Sequence, residues 1–174
     1  MKRRLEGGFE LDDDRSRVDI DEVHRFLSGE AYWALGRPRE VVDRLVREST
    51  RVIGAYTSDG RQAGFARVVT DGNSIAYLAD VYVHPQFRGQ GIGVEIVREA
   101  IENGPHNDVR WILHTDDAQT LYEKFGFGAP SERLMERPRP GRRAGPTVGR
   151  APTTRLDWSV VVAMATTKLH SVND

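Results

Sequence analysis

The chain has 174 residues, no cysteine and a formal charge of −1 at pH 7. Disulfides, thiolate metal sites and a thiol nucleophile are therefore excluded, and the length suits one domain with a core of its own. The longest apolar run, residues 160–165, is too short to span a bilayer. The basic start Met1-Lys-Arg-Arg lacks the apolar stretch of a secretory signal, so a cytoplasmic protein without membrane attachment is expected. Residues 1–136 carry 24 acidic and 18 basic groups, and residues 137–174 carry 2 and 7. An acidic body does not suit nucleic-acid phosphates and suits a cationic substrate such as an amine. Arg outnumbers Lys by 22 to 3, which reads as the codon bias of a GC-rich bacterial genome.

Phe9-Glu-Leu opens a first strand. Asp19 or Asp21 caps a helix over 22–28, with Val23, Phe26 and Leu27 on its apolar face, and Gly29 ends it. Pro38 sits where a first-turn proline belongs for a second helix, with Val41, Val42, Leu45 and Val46 as its stripe. Residues 51–57 and 62–70 read as strands joined by a Ser58-Asp-Gly60 hairpin turn. The strand over 75–84 follows, in which Ile75, Tyr77, Ala79, Val81 and Val83 alternate with Leu78, Asp80 and Tyr82. Pro85 ends its pairing. A helix from about Gln90 to Asn103 and a strand over 109–114 come next. A short helix then places Ala118, Leu121, Tyr122 and Phe125 on one face, with Asp116 or Asp117 as its cap and Gly126 at its end. Residues 127–136 are expected to hold one or two closing strands. Helices, an antiparallel meander and then βαβα predict an α+β fold with a mixed sheet. The tail over 137–174, rich in Pro, Gly and Arg, has no period and is expected to be disordered.

Between the strand of 75–84 and its helix stands Arg88-Gly-Gln-Gly-Ile-Gly93. A strand that delivers a glycine-rich loop to a helix N-terminus is an anion site, most often for phosphate. Val94-Glu95 follows Gly93 where a Walker loop needs Lys-Ser/Thr, and the last glycine interval does not fit a dinucleotide fingerprint. The pattern Arg-x-x-Gly-x-Gly after a strand closely resembles motif A, the acyl-CoA pyrophosphate loop of the GNAT superfamily of N-acetyltransferases. Further on, Asp117-Ala-Gln-Thr-Leu-Tyr-Glu-Lys-Phe-Gly-Phe127 resembles the family's motif B, a helix carrying Ala and Tyr inward and ended by Gly-Phe. The resemblance covers about residues 9–136. It implies a mostly antiparallel mixed sheet with helices on both faces, and a splayed parallel strand pair holding acyl-CoA.

The family arrangement implies acetyl transfer from acetyl-CoA, as co-substrate, to a small-molecule or protein amine without a covalent enzyme intermediate. Backbone N–H groups of Arg88, Gly89, Gln90, Gly91, Ile92 and Gly93 would bind the pyrophosphate. The strand at Val81, Tyr82 and Val83 would take the pantetheine arm as an added strand through the main chain of Val81 and Val83. Ala118 and Tyr122 would border the cofactor, and Thr115 stands where many members carry an Asn that contacts the arm. Tyr122 is the candidate acid towards the departing thiolate. Asp80, in mid-strand, has two readings: a group that binds or deprotonates the amine, or a buried acid paired with an arginine such as Arg67. Phe26, Tyr32 and Trp33 are acceptor-pocket candidates, with core packing as the alternative. His84 and His114 read as strand-end residues, and no metal is expected. A monomer or homodimer is anticipated. The rival to an enzyme is a non-catalytic acyl-CoA-binding sensor.

Overall fold

The computed structural model describes residues 1–137 and Pro140, so the rest of the anticipated tail lies outside the described residues. The chain divides into two units, Met1–Ala129 and Pro130–Asp174. In the first, six strands form one sheet in sequence order: β1 (Lys2–Arg4), β2 (Glu10–Asp12), β3 (Arg51–Tyr56), β4 (Gln62–Thr70), β5 (Ile75–Val83) and β6 (Arg110–Ile112). Every neighbouring pair is antiparallel except β5 with β6, which run parallel. The helices are α1 (Ile20–Gly29), α2 (Arg39–Glu48), α3 (Ile92–Ile101) and α4 (Gln119–Glu123).

The alternation of the strands sorts side chains into two cores, one on each sheet face. Leu11, Ile53, Ala66, Val68 and Leu78 pack with Ile92, Ile96 and Val97 of α3 and with Tyr122 of α4. Val52, Phe65 and Tyr82 point the other way, onto Val23, Phe26 and Leu27 of α1 and Val42 and Val46 of α2. The Asp19 carboxylate caps α1 by accepting from the Glu22 N–H at 3.0 Å. Pro38 occupies the cap position of α2 rather than its first turn; with no side-chain oxygen to give, it caps by its fixed φ of −62° alone.

The expected closing strands do not form. Residues 127–137 hold no strand; the second unit's described residues are coil with a turn closed by Leu134 N–H on the Ser131 carbonyl at 3.0 Å. Gly128 has no side chain to pack and Pro130 no N–H for a ladder. Conversely, Lys2-Arg-Arg4 forms β1 although it has no apolar residue. What holds it is a buried ion cluster. The Glu99 carboxylate, 1% exposed, accepts from Arg3 Nε and from Arg51 Nη2, each at 2.9 Å. Arg51 also donates to Asp13 at 3.0 Å and to the Glu99 carbonyl at 2.9 Å. Strand β1, strand β3 and helix α3 thus meet on one carboxylate.

Removing one member of such a cluster strands the others away from water. Glu99→Ala should therefore cost about 3 kcal/mol or more, read as a lower urea midpoint with an unchanged slope.

Candidate functional site

Strands β5 and β6 pair only at Ile75↔Arg110, Ala76↔Trp111 and Tyr77↔Ile112. Beyond that point β5 runs on to Val83 with no strand beside it on that edge among the described residues, and a gap opens. What the edge offers depends on a bulge. Arg67 faces Ala79 and Phe65 faces Tyr82, so Asp80 and Val81 together stand opposite Ala66. The added residue switches the alternation of the backbone. At the start of β5 the Ser74 carbonyl accepts from Arg110 N–H at 3.2 Å, so even-numbered groups face β6. At its end His84 N–H donates to the Ala63 carbonyl at 2.8 Å, so even-numbered groups face β4. Past the bulge it is therefore Val81 and Val83 that turn their main chain into the gap. The Val83 carbonyl there accepts from Arg88 Nε at 3.0 Å, which ties the glycine loop to the strand end.

Asp80 sits at the bulge with φ +50°, the left-handed region that non-glycine residues rarely adopt and Asp tolerates better than most. Its side chain is 3% exposed. Oδ2 accepts from Arg67 Nε at 2.6 Å and Arg37 Nη1 at 2.8 Å, and Oδ1 accepts from Trp33 Nε1 at 3.1 Å. Burial, the largest influence, works to raise the carboxyl's pKa, but the two guanidinium groups outweigh it and hold it below its ordinary value. Of the two readings, this geometry matches the arginine-paired acid, with Arg37 added to the expected Arg67.

The glycine loop is exposed, and Gly89 and Gly91 have φ of +79° and +77°. A Cβ at either would meet nothing within 4 Å, so backbone conformation and not crowding demands glycine there. Gly91 begins α3 without a side-chain cap, and the first helical bond runs from Glu95 N–H to the Gly91 carbonyl. The N–H groups of Ile92, Gly93 and Val94 are thus left at the positive end of the helix dipole. Gly93 packs within the helix, 3.6 Å from Val83 when given a Cβ.

Across the gap, α4 ends in a Schellman motif. Gly126 has φ +80°, its N–H bonds the Glu123 carbonyl at 3.1 Å, and Phe127 N–H bonds the Tyr122 carbonyl at 3.3 Å. The accompanying apolar contact is Phe127 edge-on to the Tyr122 ring, centroids 6.0 Å apart. Burial pushes the Tyr122 phenol up to about 12, with Tyr32, Asp117 and Tyr77 adding to it. The cap position of α4 is held by neither Asp116 nor Asp117 but by Ala118, with no side-chain cap bond; Thr115 Oγ1 closes the preceding turn by accepting from Ala118 N–H at 3.0 Å.

The aromatic candidates separate. Phe26 is buried and stacks on Tyr82 at 4.0 Å, so both side chains belong to the core and not to the gap. The backbone of Tyr82 faces β4, and its hydroxyl accepts from Gln62 Nε2 at 3.1 Å. Trp33 holds Asp80. Tyr32, packed edge-on against Trp33, accepts from Asp116 N–H at 2.7 Å. The loop between α1 and α2 is thereby tied both to the bulge and to the loop that precedes α4. Among the described residues no group of three His, Asp or Glu is arranged to hold a metal ion, and no helix is long and apolar enough to cross a membrane.

This sheet, parting at the glycine loop, is the architecture of an acetyltransferase fold. The GNAT acetyltransferase domain model matches residues 48–128. A crystal structure from Xanthomonas campestris pv. campestris, assigned as a GNAT-family acetyltransferase, is 37% identical with a TM-score of 0.71, over 76% of this chain and 94% of its own. A Gibberella zeae protein assigned as an acetyltransferase is 27% identical over 142 residues, 70% of this chain and 80% of its own. The fold recurs in a Brucella melitensis GNAT-family acetyltransferase solved with acetyl-CoA, at 22% identity and TM-score 0.55, over 70% of this chain and 83% of that one. The chain belongs to the GNAT family of acetyltransferases. Since a fungal relative is among these proteins, likeness does not mark the chain as bacterial.

With its folded pKa below the ordinary 3.8, Asp80 contributes stability that is present above the unfolded value and lost as pH falls through the folded one. Asp80→Asn should cost about 3 kcal/mol at neutral pH by leaving two guanidinium groups on a neutral amide. The gap between variant and wild type should begin to narrow as pH falls below about 4 and go on narrowing towards the folded pKa; urea melts at pH 7 and at a descending series of acidic pH values measure both.

Proposed function

We propose that the chain is an N-acetyltransferase that moves the acetyl group of acetyl-CoA to a primary amine by direct attack. The observation that carries this is the bulge at Asp80, which turns the main chain of Val81 and Val83 into the gap beside β5. An extended pantetheine arm would pair there as an added strand, with a valine N–H donating to the thioester oxygen as negative charge develops on it. The open loop at Gly89 and Gly91, with the bare N–H groups of α3, would take the pyrophosphate at the end of that track.

The amine, as its free base, then attacks the carbonyl carbon, the C–S bond breaks, and the thiolate leaves with a proton. Tyr122 supplies that proton. The proton shed by the amine nitrogen passes through water and restores the phenol, so the products are the amide and the neutral thiol. The Tyr122 phenol stays protonated across the working pH range because burial raises it to about 12. The same burial disfavours a free thiolate in the gap, so both anions are penalised and proton transfer between them stays feasible. Asp80 is a poor base for the amine, since its pKa is depressed and both its oxygens are engaged. We assign it instead to holding the bulge. Thr115 and Ala118 shape the wall beside the arm through the turn that starts α4. A silent acyl-CoA sensor needs the loop and the bulge but not the phenol.

Two variants test the reading. Gly91→Glu puts a side chain on left-handed backbone and a negative charge where pyrophosphate would lie, so the thermal shift given by acetyl-CoA should vanish. Tyr122→Phe should lower turnover by about 10²-fold with acetyl-CoA affinity nearly unchanged, the usual worth of a general acid. Wild-type turnover in Tyr122→Phe, measured by CoA thiol release, would remove Tyr122 from the mechanism.

A further inference from the structure

Asp80 accounts for one negative charge, and two guanidinium groups converge on it. Arg67 uses only Nε and Arg37 only Nη1 for this contact. Arg67 keeps both of its Nη groups, and Arg37 its Nε and Nη2, without any other hydrogen bond or ion pair among the described residues. Neither side chain is sealed in: Arg67 is 13% exposed and Arg37 19%. The cluster therefore carries a net positive charge, with several donors directed elsewhere than at Asp80.

Its position matters as much as its charge. Asp80 adjoins Val81, whose main chain faces the gap, while Arg37 and Trp33 come from the loop between α1 and α2. An ammonium brought to Asp80 would find both carboxylate oxygens occupied and two cations beside them. An anion would find the unused edges of two arginines, the fork that matches carboxylate and phosphate oxygens. This reverses the expectation from the acidic body as a whole, because a local charge pair a few ångströms from the ligand outweighs distant charges screened by solvent.

Building on the acetyltransferase reading, we propose that the acceptor carries an anionic group, a carboxylate or a phosphate, within a few bonds of its amine, and that Arg37 and Arg67 bind it. Polyamines and simple alkylamines are then poor acceptors. The arginines fix the acidic end, and the amine is left to reach the thioester beside Val81.

The test is CoA thiol release from acetyl-CoA with matched acceptors. Amino acids are set against their amides, phosphoethanolamine against ethanolamine, and spermidine stands as the cationic control. The expected result is a kcat/KM at least 10-fold higher for an anionic acceptor than for its neutral partner, the usual scale of a charge-assisted bond. The carboxylate and phosphate arms identify which anion is taken. In Arg37→Met the kcat/KM of the preferred anionic acceptor should fall about 10-fold further than that of its neutral partner, whose own change registers the disturbed Asp80 bulge; Arg37→Lys should recover part of that difference. Acetyl-CoA affinity, measured in parallel by calorimetry, separates two failures. Loss of acetyl-CoA binding in wild type defeats the acetyltransferase reading itself. If acetyl-CoA binds, then preference for spermidine or ethanolamine, no turnover of any anionic acceptor, or unchanged discrimination in Arg37→Met overturns the anionic acceptor alone.

Discussion

A single carboxylate under left-handed backbone organises the open edge of β5. Asp80 bears two costs at once, a positive φ of +50° and burial of a charge. The first is worth about 1–2 kcal/mol for an L-residue, and the second far more without partners. Both are offset because Arg67 on β4, Arg37 and Trp33 all donate to it. Without the bulge the alternation of β5 would continue, and Val81 and Val83 would send their N–H groups back to β4. The gap would then face a strand edge of opposite parity. The cluster therefore sets the register of any extended ligand laid along β5.

The opposite wall is built by a different device. Gly126 allows the turn that ends α4, and that turn brings Phe127 against Tyr122. A phenol held by its own helix terminus has few orientations, which suits the role proposed for it towards the leaving sulfur. Tyr32 connects the two walls: its ring rests against Trp33, and its hydroxyl accepts from Asp116 N–H next to the Thr115 turn. The loop between α1 and α2 is thus fixed to both sides of the gap.

In the proposed reading, cofactor and acceptor are recognised by different means. The loop around Gly89 and Gly91 offers main-chain donors and a helix dipole, groups that any sequence with suitable glycines supplies. Family membership accordingly predicts the acyl donor. The proposed acceptor face is made of side chains, and its charge depends on which ones meet. Residues 1–136 carry a net −6, yet the arginine pair at Asp80 makes that point positive.

Features that the sequence alone determined are those whose cause is local. The glycine loop, the strand before it, the Asp19 cap and the Gly126 terminus rest on neighbouring residues and on periods of 2 and 3.6. Alternation also tells which face a side chain takes, but it is silent on the partner found there. The meeting of Arg37 and Arg67 with Asp80 spans 43 and 13 residues, and no local rule brings them together. Phe26, Tyr32 and Trp33 look alike as neighbouring aromatics; only the packing of α1 sends Phe26 into the core and leaves Trp33 at the bulge. Strand β1 has no apolar pattern and exists because Arg3 reaches Glu99, 96 residues away. The backbone parity at Val81 was likewise undecidable from the chain: one extra residue in β5 against β4 sets it, and that register is a property of the assembled sheet.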